Sequence, residues 1–369
     1  TGVCLLATHP AADVLHSPCF VAHSTIEGIG ITMTRALVTG STGCLGSNLV
    51  AALTAHGVDV VGLRRSTSPD DATYDLRMTP AVGDVLDIDS LRAALDGVDW
   101  VFHVAAVATY RKTPDDLFFR VNVEGTRNVL QAAQEAGVKR FVLTGSVGAL
   151  GRPRPGKALM DEEDTFNLKP DDFPYGYSKH LAEGVMAEFV ERGMHAVCVL
   201  PGILIGPRDV KVIGGEIVIQ ALKGRVPALP AGAANYIDVR DCAEGHIAAA
   251  ERGTPGERYL LTGHNLSHHE VMAIIHEVLG TRVPRLTIPG WLLRPMAEAA
   301  GVADRLGIDL PIDRGRLLLS GDCMCYDNSK AVRELGLTIR PFAESVRDTY
   351  EWYRDHGYLE KRGVAPLPE

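Results

Sequence analysis

From residue 36 onward, short apolar runs alternate with longer stretches of helical spacing. The runs at 36–39, 58–63, 100–104, 140–143 and 195–200 read as strands. Between them, 45–56, 90–95, 122–136 and 175–192 repeat apolar residues every three or four positions. Gly57, Gly137 and Gly193 follow three of these segments, where a left-handed C-cap belongs. Strand and helix in strict alternation predict an α/β protein with a doubly wound parallel sheet and right-handed crossovers.

Beyond Pro201 the alternation gives way to Gly- and Pro-rich loops with shorter helical segments at 214–223, 268–279 and 341–356. The stretches 236–250 and 258–262 read as a strand, a helix and a strand returning to the main sheet. The expected organisation is therefore a sheet domain over 33–205 plus 233–262, and a smaller, discontinuous C-terminal lobe for substrate over 206–232 plus 263–369. Residues 1–32 precede the patterned region, with no basic start and no apolar run near the ~18 residues that span a bilayer. They read as a dispensable extension.

Composition narrows the function. Forty-six acidic against 37 basic residues leave a formal charge of −9, which gives no support to nucleic-acid binding, since phosphate recognition needs clustered basic groups. Neither a membrane span nor a metal is expected. The cysteines at 4, 19, 44, 198, 242, 323 and 325 are odd in number with no C-x-x-C pair, so a disulfide framework is not indicated and a reducing, cytoplasmic setting is expected. A small-molecule enzyme fits these bounds.

The stretch Thr39-Gly40-Ser41-Thr42-Gly43-Cys44-Leu45-Gly46 follows the first strand and opens a helix. There a pyrophosphate can rest on backbone N–H groups at the positive helix end, and the glycines let it approach. Gly40, Thr42, Gly43, Cys44, Leu45 and Gly46 are the candidate contacts, and the fold becomes a Rossmann type. An ordinary glycine turn fits the same letters, but not the placement as well. Where NAD-specific sites carry an acidic residue at the end of the second strand, this chain has Arg64 and Arg65. A guanidinium can grip the 2′-phosphate of NADP, so NADP(H) is favoured, with NAD(H) the alternative. Asp84 and Val85 follow the next strand and are expected beside the adenine. Val104, Ala105 and Ala106 end the fourth, where small residues let a cofactor lie close. His103 is expected to be a packed residue.

Tyr175 and Lys179 stand four apart, on one face of the helix that begins there. A neighbouring ammonium favours phenolate and brings a tyrosine toward a working pKa. Tyr177 has Leu181 in the corresponding place and cannot substitute. Ser146 ends the fifth strand at the carboxyl edge of the sheet, where its hydroxyl can polarise a substrate carbonyl.

Taken together, the glycine loop, the segment 103–106, Ser146 and the Tyr175/Lys179 pair resemble the extended short-chain dehydrogenase/reductases, the NAD-dependent epimerase/dehydratase family. Arg65 and the runs 121–126, 201–207 and 236–239 are similar to the dihydroflavonol 4-reductase-like branch. The resemblance implies an NADP(H)-dependent oxidoreductase that reduces a ketone or aldehyde, or oxidises the alcohol. Tyr175 would exchange the proton, Lys179 would hold the nicotinamide ribose and tune Tyr175, and Ser146 would hold the substrate oxygen. Pro201 and Gly202 would line the nicotinamide pocket. It also implies a homodimer through the helices at 122–136 and 175–192. Two rivals remain: an NAD-dependent NDP-sugar epimerase, disfavoured by the arginines, and a non-catalytic NADP sensor, disfavoured by the intact Tyr175 and Lys179. No motif names the substrate. Arg208 and Lys211 suit an acidic or phosphorylated one, while Leu150, Met160, Phe173 and Ile213 suit an aromatic or terpenoid ketone.

Overall fold

The computed structural model describes residues 33–108, 113–308 and 314–367. Twelve strands are found among them: β1 (Arg35–Thr39), β2 (Asp59–Arg64), β3 (Thr79–Val82), β4 (Trp100–His103), β5 (Arg140–Thr144), β6 (Ala196–Pro201), β7 (Ile203–Ile205), β8 (Ala228–Pro230), β9 (Ala233–Asp238), β10 (Arg258–Leu261), β11 (His264–Ser267) and β12 (Leu286–Ile288). Seven form one sheet in the order β10-β6-β5-β4-β1-β2-β3, and every pairing in it is parallel. The chain runs outward from β1 through β2 to β3, then restarts on the other side of β1 at β4. At that switch point the connections leave in opposite directions and open a crevice above the carboxyl ends of β1 and β4.

Both faces of the sheet are covered, which is why its strands are apolar on both sides. Leu37 turns toward a cluster with Val101, Leu130, Phe141, Leu143 and Phe189. Its neighbours Ala36 and Val38 turn the other way, toward Leu49, Leu53, Phe102, Ile247 and Tyr259. The three glycines expected to end helices do so, with φ of +76° at Gly57, +70° at Gly137 and +91° at Gly193. The helix Pro174–Glu191 opens with proline at its first turn, where no intrahelical N–H is needed, and buries Ser178, Lys179, Ala182, Val185, Met186 and Phe189.

One expectation about topology fails. The strand containing Tyr236 does not return to the main sheet; only β10 does, beside β6. β9 instead pairs in parallel with β7 and antiparallel with β11, in a separate three-stranded sheet. The cause lies at Gly202, where a Cβ would stand 2.4 Å from Asn235 Oδ1. The chain bends there, and the Asn235 side chain accepts the Gly263 amide at 3.0 Å and donates to Asn265 at 2.8 Å, stitching β9 to the strand after β10. A third apolar cluster, with Ile205, Ile219, Met272, Ile275, Val346 and Tyr353, forms the core of this second region.

Candidate active site

The glycine loop is tight. Gly43 donates to the Gly40 carbonyl at 2.9 Å, and Gly40 has φ +68°. A Cβ on Gly40 would meet the Ala105 backbone at 2.9 Å, and one on Gly46 would meet the Gly40 oxygen at 2.1 Å. The helix Cys44–Ala55 therefore begins flush against the loop, with its first N–H groups facing the crevice. This is a cradle into which a pyrophosphate fits.

Below it, Thr39 Oγ1 accepts the amides of Val104 and Ala105, both at 3.1 Å, so its hydrogen goes to His103 Nδ1 at 2.8 Å. Thr126 gives its hydrogen to the Asn122 carbonyl at 2.7 Å and so accepts His103 Nε2–H at 3.0 Å. His103 is thus a neutral, packed residue. Burial pushes its pKa down to about 3, with the charge of Lys179 adding to the effect. His246 is its counterpart on the other face: Nδ1–H donates to the Cys242 carbonyl at 2.7 Å, and Nε2 accepts the Thr144 hydroxyl at 2.9 Å. Burial takes it down to about 4, opposed by that bond to Cys242.

These shifts carry a pH dependence. A histidine depressed in the folded state costs stability as pH falls through the gap between its unfolded and folded pKa, from 6.5 toward 4 for His246, at about 1.4 kcal/mol per pH unit. Glu183 acts in the opposite sense over 4.5 to about 7, because burial raises it. His246→Gln, which can keep both hydrogen bonds, should therefore flatten the loss of stability between pH 6 and 5 by about 1.4 kcal/mol per unit. Urea unfolding of both proteins across that range measures it, and parallel slopes would refute a neutral buried His246.

Ser146, Tyr175 and Lys179 come together at the carboxyl edge of β5. Ser146 Oγ accepts the Gly148 amide at 3.1 Å and hydrogen-bonds Tyr175, a contact that lowers the phenol's pKa while burial, the larger influence, raises it; Arg316 adds a smaller lowering. The Tyr175 ring meets Phe118 and Phe173 edge-on. Lys179 donates to the Thr144 carbonyl at 2.8 Å and makes no hydrogen bond to Tyr175 itself. Burial takes its ammonium down to about 8, with Cys198 and Glu183 opposing.

Two residues beneath this group escaped the sequence reading. Asn122, on a π-turn at Arg120–Glu124, accepts the Val107 amide at 2.8 Å and donates to the Val107 carbonyl and to Ser178 Oγ, both at 3.0 Å. Ser178 in turn donates to the Tyr175 carbonyl at 2.7 Å, so Asn122 fixes the start of the helix that carries Tyr175 and Lys179. Glu183 continues the face carrying Tyr175 and Lys179 by another four residues and faces Arg258 at 3.0 Å. Burial raises its carboxyl to about 7 against the pull of Arg258 and Lys179. Arg258 and Cys198 are register partners on β10 and β6, which puts this pair beneath the helix. The repeat of four that revealed Lys179 would also have revealed Glu183.

The remaining candidates are placed unevenly. Arg64 is engaged within its own loop, donating to Asp70 and to the Ser68 carbonyl, whereas Arg65 is exposed. Asp84 Oδ1 accepts the Leu86 amide at 2.9 Å, shaping the turn after β3, and Val85 is buried beside it. Val104, Ala105 and Ala106 follow the end of β4 at the carboxyl edge of the sheet, and Pro201 closes β6 with Gly202 beyond it. Arg208 is committed within the protein: it grips the Asp75 carboxylate at 2.8 and 2.7 Å and the Ala72 carbonyl at 2.7 Å. Leu150 and Met160 are fully buried in the sheet core and line no open pocket. Among the described residues no three His, Cys, Asp or Glu side chains converge on a metal position, and no helix is long and apolar enough to cross a membrane.

Fold and site together define a dinucleotide-binding enzyme that works on hydroxyl or carbonyl groups. Residues 36–261 match the NAD dependent epimerase/dehydratase family. A putative dihydroflavonol 4-reductase of Synechocystis sp. is 36% identical over 88% of this chain and 95% of its own. Sterol demethylase protein B of Methylococcus capsulatus is 33% identical over 88% and 99%. The crystal structure of gox2253 superposes with a TM-score of 0.77 at 34% identity, covering 88% of this chain and 98% of that one. The chain belongs to the NAD-dependent epimerase/dehydratase family, that is, to the extended short-chain dehydrogenase/reductases, and is an NAD(P)-dependent enzyme of that group.

Proposed function

We propose that the protein uses NADPH to reduce a ketone or aldehyde, and runs the alcohol oxidation in reverse, with Tyr175 as the acid/base. The observation that carries this reading is the convergence of Ser146, Tyr175 and Lys179 beside a glycine cradle with no room for a side chain. The nicotinamide supplies the hydride. Ser146 holds the carbonyl oxygen, Tyr175 donates a proton from its Oη to that oxygen, and Lys179 holds the nicotinamide ribose hydroxyls. Arg65 grips the 2′-phosphate; Arg64, spent on Asp70, shapes the loop that presents it. Residues around Phe118 and Phe173 exclude water from the phenol.

Fluorescence titration with NADPH and NADH tests the cofactor, and loss of NADPH absorbance over a panel of aldehydes and ketones tests the reaction. NADPH is expected to bind more tightly, and Arg65→Ala to weaken it about tenfold or more, as loss of a charged contact does, while NADH binding stays within about twofold. Co-purifying NAD that does not exchange would overturn the NADPH reading in favour of a sugar epimerase.

A further inference from the structure

The segment from β7 to the helix Glu216–Leu222 is fastened along most of its length. The Pro207 carbonyl accepts Asn48 Nδ2 at 3.0 Å, and Arg208 is latched to Asp75 and Ala72. The buried Asp209 carboxylate accepts the Ile213 and Gly215 amides and the Tyr353 hydroxyl, the last at 3.0 Å. Among the described residues, Arg208 at φ +66° and Val212 at φ +52° are the only non-glycine residues in the left-handed region. A β-branched residue there is a genuine outlier, and such strain persists where the surroundings over-determine one shape, commonly at ligand sites.

Between these fixed points, Lys211 is exposed and has no ion pair among the described residues. The latch from Arg208 to Asp75 sets its loop against the connection between β2 and β3, on the adenosine side of the crevice and not over Tyr175. Arg65, at the start of that connection, is likewise exposed and without an ion pair among the described residues. Partial burial and the charge of Arg65 both push the Lys211 ammonium below its usual range, with Asp209 opposing. Two cations are therefore held near each other by a strained loop, an arrangement that repels itself until an anion enters.

We propose that Lys211 and Arg65 jointly bind the 2′-phosphate of NADP(H), so that a loop distant in sequence from the glycine motif sets the preference between the two coenzymes. A phosphate monoester near neutral pH carries close to two negative charges and three acceptor oxygens, enough to satisfy a guanidinium and an ammonium together. The inference rests on the NADPH reading above and adds a residue to it.

Dissociation constants for NADPH and NADH, with 2′,5′-ADP and 5′-AMP as competing probes, decide it. Lys211→Ala should weaken NADPH and 2′,5′-ADP about tenfold and leave NADH and 5′-AMP within about twofold. Lys211→Arg should retain most of the affinity, which separates lost charge from a disturbed loop. Unchanged NADPH binding in Lys211→Ala, or equal weakening of both coenzymes, would overturn the proposal. If Arg65→Ala also leaves NADPH binding unchanged, the NADPH reading itself falls; if only Lys211→Ala is silent, that reading stands and the second cation does not.

Discussion

Tyr175→Phe should lower kcat for carbonyl reduction by about 100- to 10,000-fold while leaving NADPH affinity within about twofold, because the lost hydroxyl serves the reaction and not the cradle. Among the described residues, neither Tyr177 nor His103 is placed to take over its proton. Tyr177 faces away, its ring set against Phe119, Phe166 and His180. His103 has both nitrogens committed, to Thr39 and Thr126. The phenylalanine keeps the edge contacts with Phe118 and Phe173, so melting temperature should barely change. Steady-state rates with a saturating carbonyl substrate give the answer, and a variant retaining more than about a tenth of wild-type kcat would remove Tyr175 from the proton step.

The second large effect belongs to Gly46→Val. Its Cβ would stand 2.1 Å from the Gly40 oxygen and 2.9 Å from Ser41 Cα, and these are backbone atoms that cannot swing aside. Gly40 has no space to yield, because it already abuts Ala105. Either the loop leaves the helix end or the helix shifts, and both destroy the cradle. Coenzyme affinity should fall more than about 100-fold, and stability should fall by at least the ~1–3 kcal/mol of ordinary overpacking. Gly184→Ala, on the exposed side of the helix Pro174–Glu191 with nothing near its Cβ, is the control and should be neutral or slightly stabilising. Calorimetry and NADPH titration of the two variants together would expose an error, since equal behaviour would mean that the close approach at Gly46 is not real.

These two sites were the most legible parts of the sequence, and the reason is local. A glycine loop between a strand and a helix, or a tyrosine and lysine one turn apart, is defined by a few adjacent letters and by helical periodicity. What the sequence left undecided depends on contacts between distant segments. Nothing near Tyr236 shows that its strand leaves the main sheet, because the cause is Gly202 packed on Asn235 and Asn235 bonded to Gly263 and Asn265. Arg64 and Arg65 are equivalent as letters, and only the fold commits the first to Asp70. Leu150 and Met160 look as suited to a pocket wall as to a core until the sheet closes over them. Asn122 could not be ranked above other buried asparagines without Val107 and Ser178 beside it.

The pairing of Glu183 with Arg258 makes the helix that carries Tyr175 and Lys179 depend on a strand made much later in the chain. Arg258 lies on β10, the last strand of the main sheet in sequence and its outermost member on that side. A chain that has emerged only as far as β6 already carries the glycine loop, Ser146, Tyr175 and Lys179, but nothing opposite Glu183. The Glu183 carboxyl, four residues beyond Lys179, then lacks its counter-ion, and a buried carboxyl without one takes up a proton rather than keep its charge. A chain truncated before β10 thus holds every side chain of the proposed site and still lacks the charge pair beneath its helix.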